Sequence, residues 1–285
     1  MVSTTTKGCE VLPATSVDEA VRALADLGDR GAALAAGTWV MRSSLRGEDL
    51  RPRYVSLNGI AELRVIESGE EVSLGALTTH TDLASRELPA ALAGLVGAAG
   101  QSAFPQVRNV ATLGGNIGAT GFAEADLVPA LLALDARLET ASLRGRATVS
   151  LGEYLLERAQ RPADEIVVRA LVAAPATRRS AFARLTVRGG GEYAIANVCV
   201  CVDLDPDGVV TAARVAIGSV EPVARLSHAA ADALVGNRPS AAAGEEAGRL
   251  AAADCTPRDG LDAPGWYRRE VLPSLVHRAC AELAV

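Results

Sequence analysis

Three strand candidates follow one another at residues 181–187, 194–204 and 209–217, and the last two are joined by Asp205-Pro206-Asp207-Gly208. A Pro/Asp/Gly turn between two apolar runs folds the chain back on itself, so these strands pair as an antiparallel meander. Alanine-rich segments at 228–235, 241–252 and 266–283 have helical patterning and are expected to cover one face of that sheet. The C-terminal part is therefore a sheet-plus-helices unit. Pro175 interrupts the pattern just before it, which puts a boundary near residues 174–177.

The part before the boundary has a different texture. Ser16 and Glu19 have the spacing of a capping box, and Val17, Ala20, Val21, Leu24 and Leu27 share one face of the helix that it opens. Apolar runs at 32–36 and 54–57 follow, giving a small helix-and-strand unit of residues 1–60. Residues 61–174 alternate strands (63–66, 71–76, 137–140, 147–149, 165–172) with helices at 89–99 and 126–136 and one begun by the Ser150/Glu153 box. The whole reads as α+β, with residues 1–174 one domain in two parts and 175–285 a second.

Composition narrows the partners. Acids and bases are interspersed around a net charge of -6, with no basic stripe to engage a polyanion, so nucleic acid is not expected. The polar start of the chain and the absence of a long uncharged apolar run predict neither a signal peptide nor a membrane span, hence a cytoplasmic location. The odd, scattered cysteines (Cys9, Cys199, Cys201, Cys255 and Cys280) predict reduced thiols and no iron–sulfur cluster on this chain. Cys199 and Cys201 would project to one side of a strand, about 7 Å apart at ~3.3 Å per residue, where packing is the expected role. His80, His228 and His277 are isolated; no catalytic set and no metal-ligand set emerges by spacing.

Two glycine-bearing turns after apolar runs carry the candidate chemistry. One comprises Ala35, Ala36, Gly37, Thr38 and Trp39; the other comprises Ala111, Thr112, Leu113, Gly114, Gly115 and Asn116. Glycine lets backbone approach a ligand closely, and successive N–H groups in such turns form anion-binding nests. Neither turn matches the dinucleotide-binding GxGxxG or the P-loop pattern. Each is also readable as an ordinary tight turn.

The run from Phe104 to Ile117 resembles the Q-x-R-N-x-A-T-x-G-G-N signature of molybdenum-hydroxylase flavin domains, those of the xanthine dehydrogenase and carbon monoxide dehydrogenase medium-subunit type. Residues 35–38 are similar to that family's A-G-G-T turn, with Ala36 in place of the first glycine. Ala76-Leu77-Thr78-Thr79 resembles its G-A-x-T-T strand end. Asp126 and the Pro129-Ala130-Leu131-Leu132 run resemble its D-x-x-P-A-L-L helix, and Gly218, Val220, Pro222 and Arg225 fit its G-x-V-A-P-x-P-x-R pattern. Residues 118–125 depart from the Ser-Pro-containing stretch of relatives.

The resemblance implies a two-part FAD-binding domain of the vanillyl-alcohol oxidase (PCMH) type followed by the flavin-domain C-terminal unit. It implies that both turns clasp the FAD diphosphate, with Thr38, Thr112 and Asn116 supplying hydroxyl or amide groups and Thr78 at the strand end. Asp126 has two readings, acceptor of ribose hydroxyls and helix cap. Arg184, Arg188 and Tyr193 are placed by the resemblance where the C-terminal domain reaches the isoalloxazine ring, and Trp39 either covers the flavin or packs. The activity implied is electron transfer within a heteromeric complex, whose large subunit carries a molybdopterin cofactor and whose small subunit carries [2Fe–2S] clusters, to an external acceptor. A self-standing FAD-dependent oxidoreductase and a non-catalytic assembly module are the alternatives.

Overall fold

The computed structural model describes residues 5–6, 9–187 and 193–284. Three sheets organise them. The first joins strands Thr5–Thr6, Cys9–Pro13, Arg53–Ser56 and Gly31–Leu34, the last three parallel to one another. Helix Val17–Leu27 makes the parallel crossover and buries Val17, Ala20, Val21, Leu24 and Leu27, the stripe read from its spacing. Ser16 caps it through the Glu19 amide, whereas the Glu19 carboxylate turns to the Thr15 amide and hydroxyl (both 2.8 Å), so the box is completed one residue earlier than the spacing suggests.

The second sheet is antiparallel and orders its strands Ile66–Glu67, Glu71–Gly75, Ile166–Ala173, Arg137–Ser142 and Gly145–Ser150. The strand expected at 63–66 is a 3-10 turn at Ala61–Arg64, because Leu63 alone is driven inward while its neighbours stay at the surface. The helix expected at 89–99 runs Ala93–Gln101 behind a 3-10 turn at Ala90–Leu92. Ser150 and Glu153 form the expected capping box.

The third sheet is the meander: Arg178–Thr186, Ala194–Leu204, Val210–Gly218 and the short Arg225–Leu226. Its central strand is buried on both faces, which explains its near-continuous apolar sequence. Val198, Val200 and Val202 pack with Leu272, Leu275, Val276 and Ala279 of the C-terminal helices. Cys199, Cys201 and Phe182, on the opposite face, join the core that contains Leu95, Leu131 and Leu134 of the preceding domain. Burial raises the Cys201 thiol to about 12, so it packs as a neutral group.

Candidate functional site

A cavity of about 730 Å³ opens where the first two sheets meet, in the size range of ligand pockets. The turn after strand Gly31–Leu34 forms one wall: Ala35, Ala36, Gly37, Thr38 and Trp39 all line it. Ala111, Thr112, Gly114, Gly115 and Asn116 line it from the second sheet's side, and Asp126 and Tyr193 complete the set expected from sequence. Thr78 and Arg184 are not part of this lining, and Arg188 lies outside the described residues.

The two turns present different chemistry. In the first, the amides of Ala36, Gly37, Thr38 and Trp39 find no acceptor in the protein among the described residues. Gly37 has φ 76°, where a side chain is strained, while Ala36 avoids the left-handed region and so replaces glycine without conflict. In the second turn the amides of residues 113–116 are spent internally. Leu113 donates to the Thr78 carbonyl (2.9 Å), Gly114 to that of Ala76 (2.7 Å), Gly115 to the Thr112 hydroxyl (3.1 Å) and Asn116 to the Thr112 carbonyl (2.9 Å). A Cβ at Gly114 would stand 2.8 Å from the Ala76 Cβ and 3.0 Å from its carbonyl oxygen. That glycine is required by the protein's own packing, whatever ligand lies nearby.

Asn116 accepts the Leu127 amide on its Oδ1 (3.1 Å), which leaves its NH2 free to donate elsewhere. It thereby performs the capping that was one of the two readings of Asp126. Asp126 itself is helical (φ -73°, ψ -34°) and makes no cap bond. Its carboxylate accepts from Asn197 Nδ2 (2.8 Å) and pairs with Arg184 (3.4 Å), both from the C-terminal sheet. Burial pushes the Asp126 acid upward, and the Arg184 charge opposes this. Arg184, expected beside a flavin ring, also donates to the Gln101 carbonyl and ties the two domains together. Glu124 pairs with Arg258 as a second such tie.

An aromatic cluster stands at the C-terminal side of the cavity. Trp39 stacks on Phe122 (4.4 Å between centroids) and carries the Arg46 guanidinium 3.8 Å from its ring. Phe122 meets Tyr193 edge-on at 6.0 Å, and Arg42 lies 5.1 Å from the Tyr193 ring. Trp39 therefore packs against its own chain, and Phe122 enters from the segment that departs from relatives. Sequence reading also missed His80, which lines the cavity with only 2% of its surface exposed and neither ring nitrogen partnered. Its isolation in sequence gave no signal of this.

A two-turn cavity with unspent amides on one wall, where the first two sheets meet, has the shape and the donors to suit an extended anionic ligand. The comparisons make the class specific. Residues 7–174 match the family described as FAD binding domain in molybdopterin dehydrogenase, and residues 180–283 match the CO dehydrogenase flavoprotein C-terminal domain. The 6-hydroxypseudooxynicotine dehydrogenase complex subunit alpha of Paenarthrobacter nicotinovorans is 31% identical over 277 residues, covering 94% of this chain and 92% of that one. The carbon monoxide dehydrogenase medium chain of Hydrogenophaga pseudoflava is 31% identical over 270 residues, 93% of each chain. A solved structure of carbon monoxide dehydrogenase from the same organism superimposes with a TM-score of 0.84 at 30% identity, covering 100% of this chain and 98% of that one. The chain belongs to the FAD-binding medium-subunit family of the molybdenum-containing dehydrogenases and is an oxidoreductase flavoprotein. No helix among the described residues is long and apolar enough to cross a membrane.

Proposed function

We propose that this chain is the electron-transfer subunit of a cytoplasmic heteromeric molybdenum hydroxylase, binding FAD in the cavity between its two turns. The cavity with the unpartnered amides of residues 36–39 carries this reading: successive N–H groups suit a diphosphate, and nothing else among the described residues satisfies them. FAD, when bound, supplies the redox chemistry that links the one-electron [2Fe–2S] carriers of a partner to an external acceptor. The protein's contribution is binding, orientation and exclusion of water.

In this reading Ala35, Ala36, Gly37, Thr38 and Trp39 seat the diphosphate from one side. The Thr112 hydroxyl and the Asn116 NH2 approach from the other, with Ala111, Gly114 and Gly115 shaping the wall. Tyr193 is a phenol at the C-terminal side, where burial makes it a weaker acid than an ordinary tyrosine and so holds it protonated. Asp126 positions the C-terminal domain over the cavity through Arg184 and Asn197. Thr78 supports the second turn by accepting the Leu113 amide on its carbonyl. The fold is assigned to the vanillyl-alcohol oxidase (PCMH) type, with residues 1–174 holding FAD and 175–285 covering it.

The partners are read from the family to which the chain belongs. A large subunit carries the molybdopterin cofactor and a small subunit carries [2Fe–2S] clusters. The relatives support this, since they are named as a medium chain and as a subunit of a dehydrogenase complex. Purification from the native host under mild conditions tests it. Co-elution of a large and a small chain with flavin, iron and molybdenum is the expected result; a lone flavin-bearing chain that oxidises a small molecule would instead make it a self-standing enzyme.

A further inference from the structure

Among the described residues four arginines line the cavity, Arg42, Arg51, Arg158 and Arg161. Arg42 and Arg51 are exposed, and Arg161 pairs with Glu165 (2.7 Å) and Glu157 (3.3 Å) while lying 4.8 Å from the Tyr154 ring. Arg158 differs from all three. It is half-buried and has no carboxylate partner among the described residues. Half-burying a guanidinium with donors unspent opposes folding, and such a group is satisfied most directly by acceptors that enter the cavity.

The fold fixes where those donors stand. The Ser150–Glu153 box starts helix Leu151–Glu157, Arg158 ends it, and Arg158 Nη1 donates to the Ile117 carbonyl at 2.9 Å. Ile117 belongs to helix Leu113–Gly118, which Thr112 of the second turn caps. Arg158 is therefore held toward the far end of that helix, about 7–8 Å along its axis from Thr112 at ~1.5 Å per residue. Tyr154 abuts the same end, since a Cβ at Gly118 would stand 4.0 Å from its hydroxyl. Arg158 Nε and Nη2 carry no bond within the protein, and unlike the His80 ring nitrogens they are not shut off from solvent. Burial, with Tyr154 opposing, lowers the group from its ordinary value, yet an arginine stays charged and donates only. The wall beside it comes from Tyr154, Pro162, Ala163 and Ile166 of the N-terminal domain, whereas Tyr193 lines the cavity from the C-terminal one.

We propose that Arg158 reads the adenosine half of FAD, donating from Nε and Nη2 to acceptor atoms of the adenosine and so making the chain select FAD over FMN. This rests on the reading of the cavity as the FAD site, with the flavin ring toward Tyr193. A diphosphate seated between the two turns leaves the halves of the dinucleotide on either side of it, and Arg158 stands beyond the second turn. The adenine ring nitrogens and the ribose hydroxyl oxygens accept hydrogen bonds, which suits a donor-only group. FMN ends at its phosphate and offers neither. Pro162, Ala163 and Ile166 supply apolar surface for the base, and the guanidinium supplies its polar edge.

The test uses the full chain stripped of flavin, as wild type, Arg158→Met and Arg158→Lys. Each is titrated with FAD and with FMN by flavin fluorescence, and melted without flavin. Arg158→Met, which keeps an apolar stem, is expected to weaken FAD binding about tenfold, to leave FMN binding within about twofold of wild type and to melt as wild type does. Arg158→Lys keeps a charged donor and is expected to recover part of the FAD affinity. FAD binding by Arg158→Met within about twofold of wild type overturns the proposal. An equal loss for FAD and FMN also overturns it, since that marks general attraction of phosphate. So does a parallel drop of FAD affinity and melting temperature in both variants, which marks the Ile117 bond as the residue's role. Failure of the wild-type chain to take up FAD contradicts the assignment of the cavity itself and shows before any variant is compared.

Discussion

The turn at 35–39 and the turn at 111–116 look alike in sequence, as small residues and glycine after an apolar run, but the fold uses them in opposite ways. The first keeps the amides of Ala36, Gly37, Thr38 and Trp39 free and needs glycine at 37 for backbone conformation. The second spends the amides of Leu113, Gly114, Gly115 and Asn116 on Thr78, Ala76 and Thr112 and needs glycine at 114 for contact with Ala76. A glycine signature records that backbone comes close to something. Whether the neighbour is a ligand or the protein itself is decided by where the N–H groups go.

The contrast can be broken by substitution. The largest effect is expected beside the second turn, where Asp126→Ala removes one member of a buried ion pair and the acceptor of Asn197, and should cost about 3–5 kcal/mol of stability, read by denaturant unfolding. An unchanged midpoint would mean that the domains are not held together there.

A pH series comes next. His80 sits at about 4 in the folded chain against an ordinary value of 6.5, so between those values the unfolded chain binds a proton that the folded chain refuses. Its contribution is complete above about pH 6.5 and is lost as the pH falls toward 4, by about 3 kcal/mol in all. The difference in unfolding free energy between wild type and His80→Leu should follow that window in the flavin-free chain; a pH-independent difference would show that the ring titrates normally.

The glycines give the smaller and sharper pair. Gly114→Ala is expected to lower the stability of the flavin-free chain by about 1–3 kcal/mol through overpacking against Ala76. Gly37→Ala should lower it by only about 1–2 kcal/mol, the cost of a left-handed alanine, but should weaken FAD binding by a larger factor than Gly114→Ala does at matched stability. Equal losses of affinity would erase the distinction between the turns.

Much of this was legible in the sequence. The meander was marked by its turn at residues 205–208, and the signature from Phe104 to Ile117 fixed the family because local chemistry is written contiguously. What failed depended on residues distant in the chain. Asp126 has the right identity and place for a helix cap, but Asn197 and Arg184, on strands far downstream, draw its carboxylate away, and Asn116 takes over the capping. His80 looked inert because an unpartnered ring is defined only by what surrounds it. The Ala61–Arg64 turn passed for a strand since one buried leucine among polar neighbours carries no period.

The most direct measurement is a titration of the flavin-stripped chain with FAD, following flavin fluorescence and the yellow absorption bands together. The expected result is saturable uptake of one FAD per chain, weakened by Gly37→Ala. A chain that stays colourless at saturating FAD, or one whose uptake ignores that substitution, would contradict the assignment of this cavity as the flavin site.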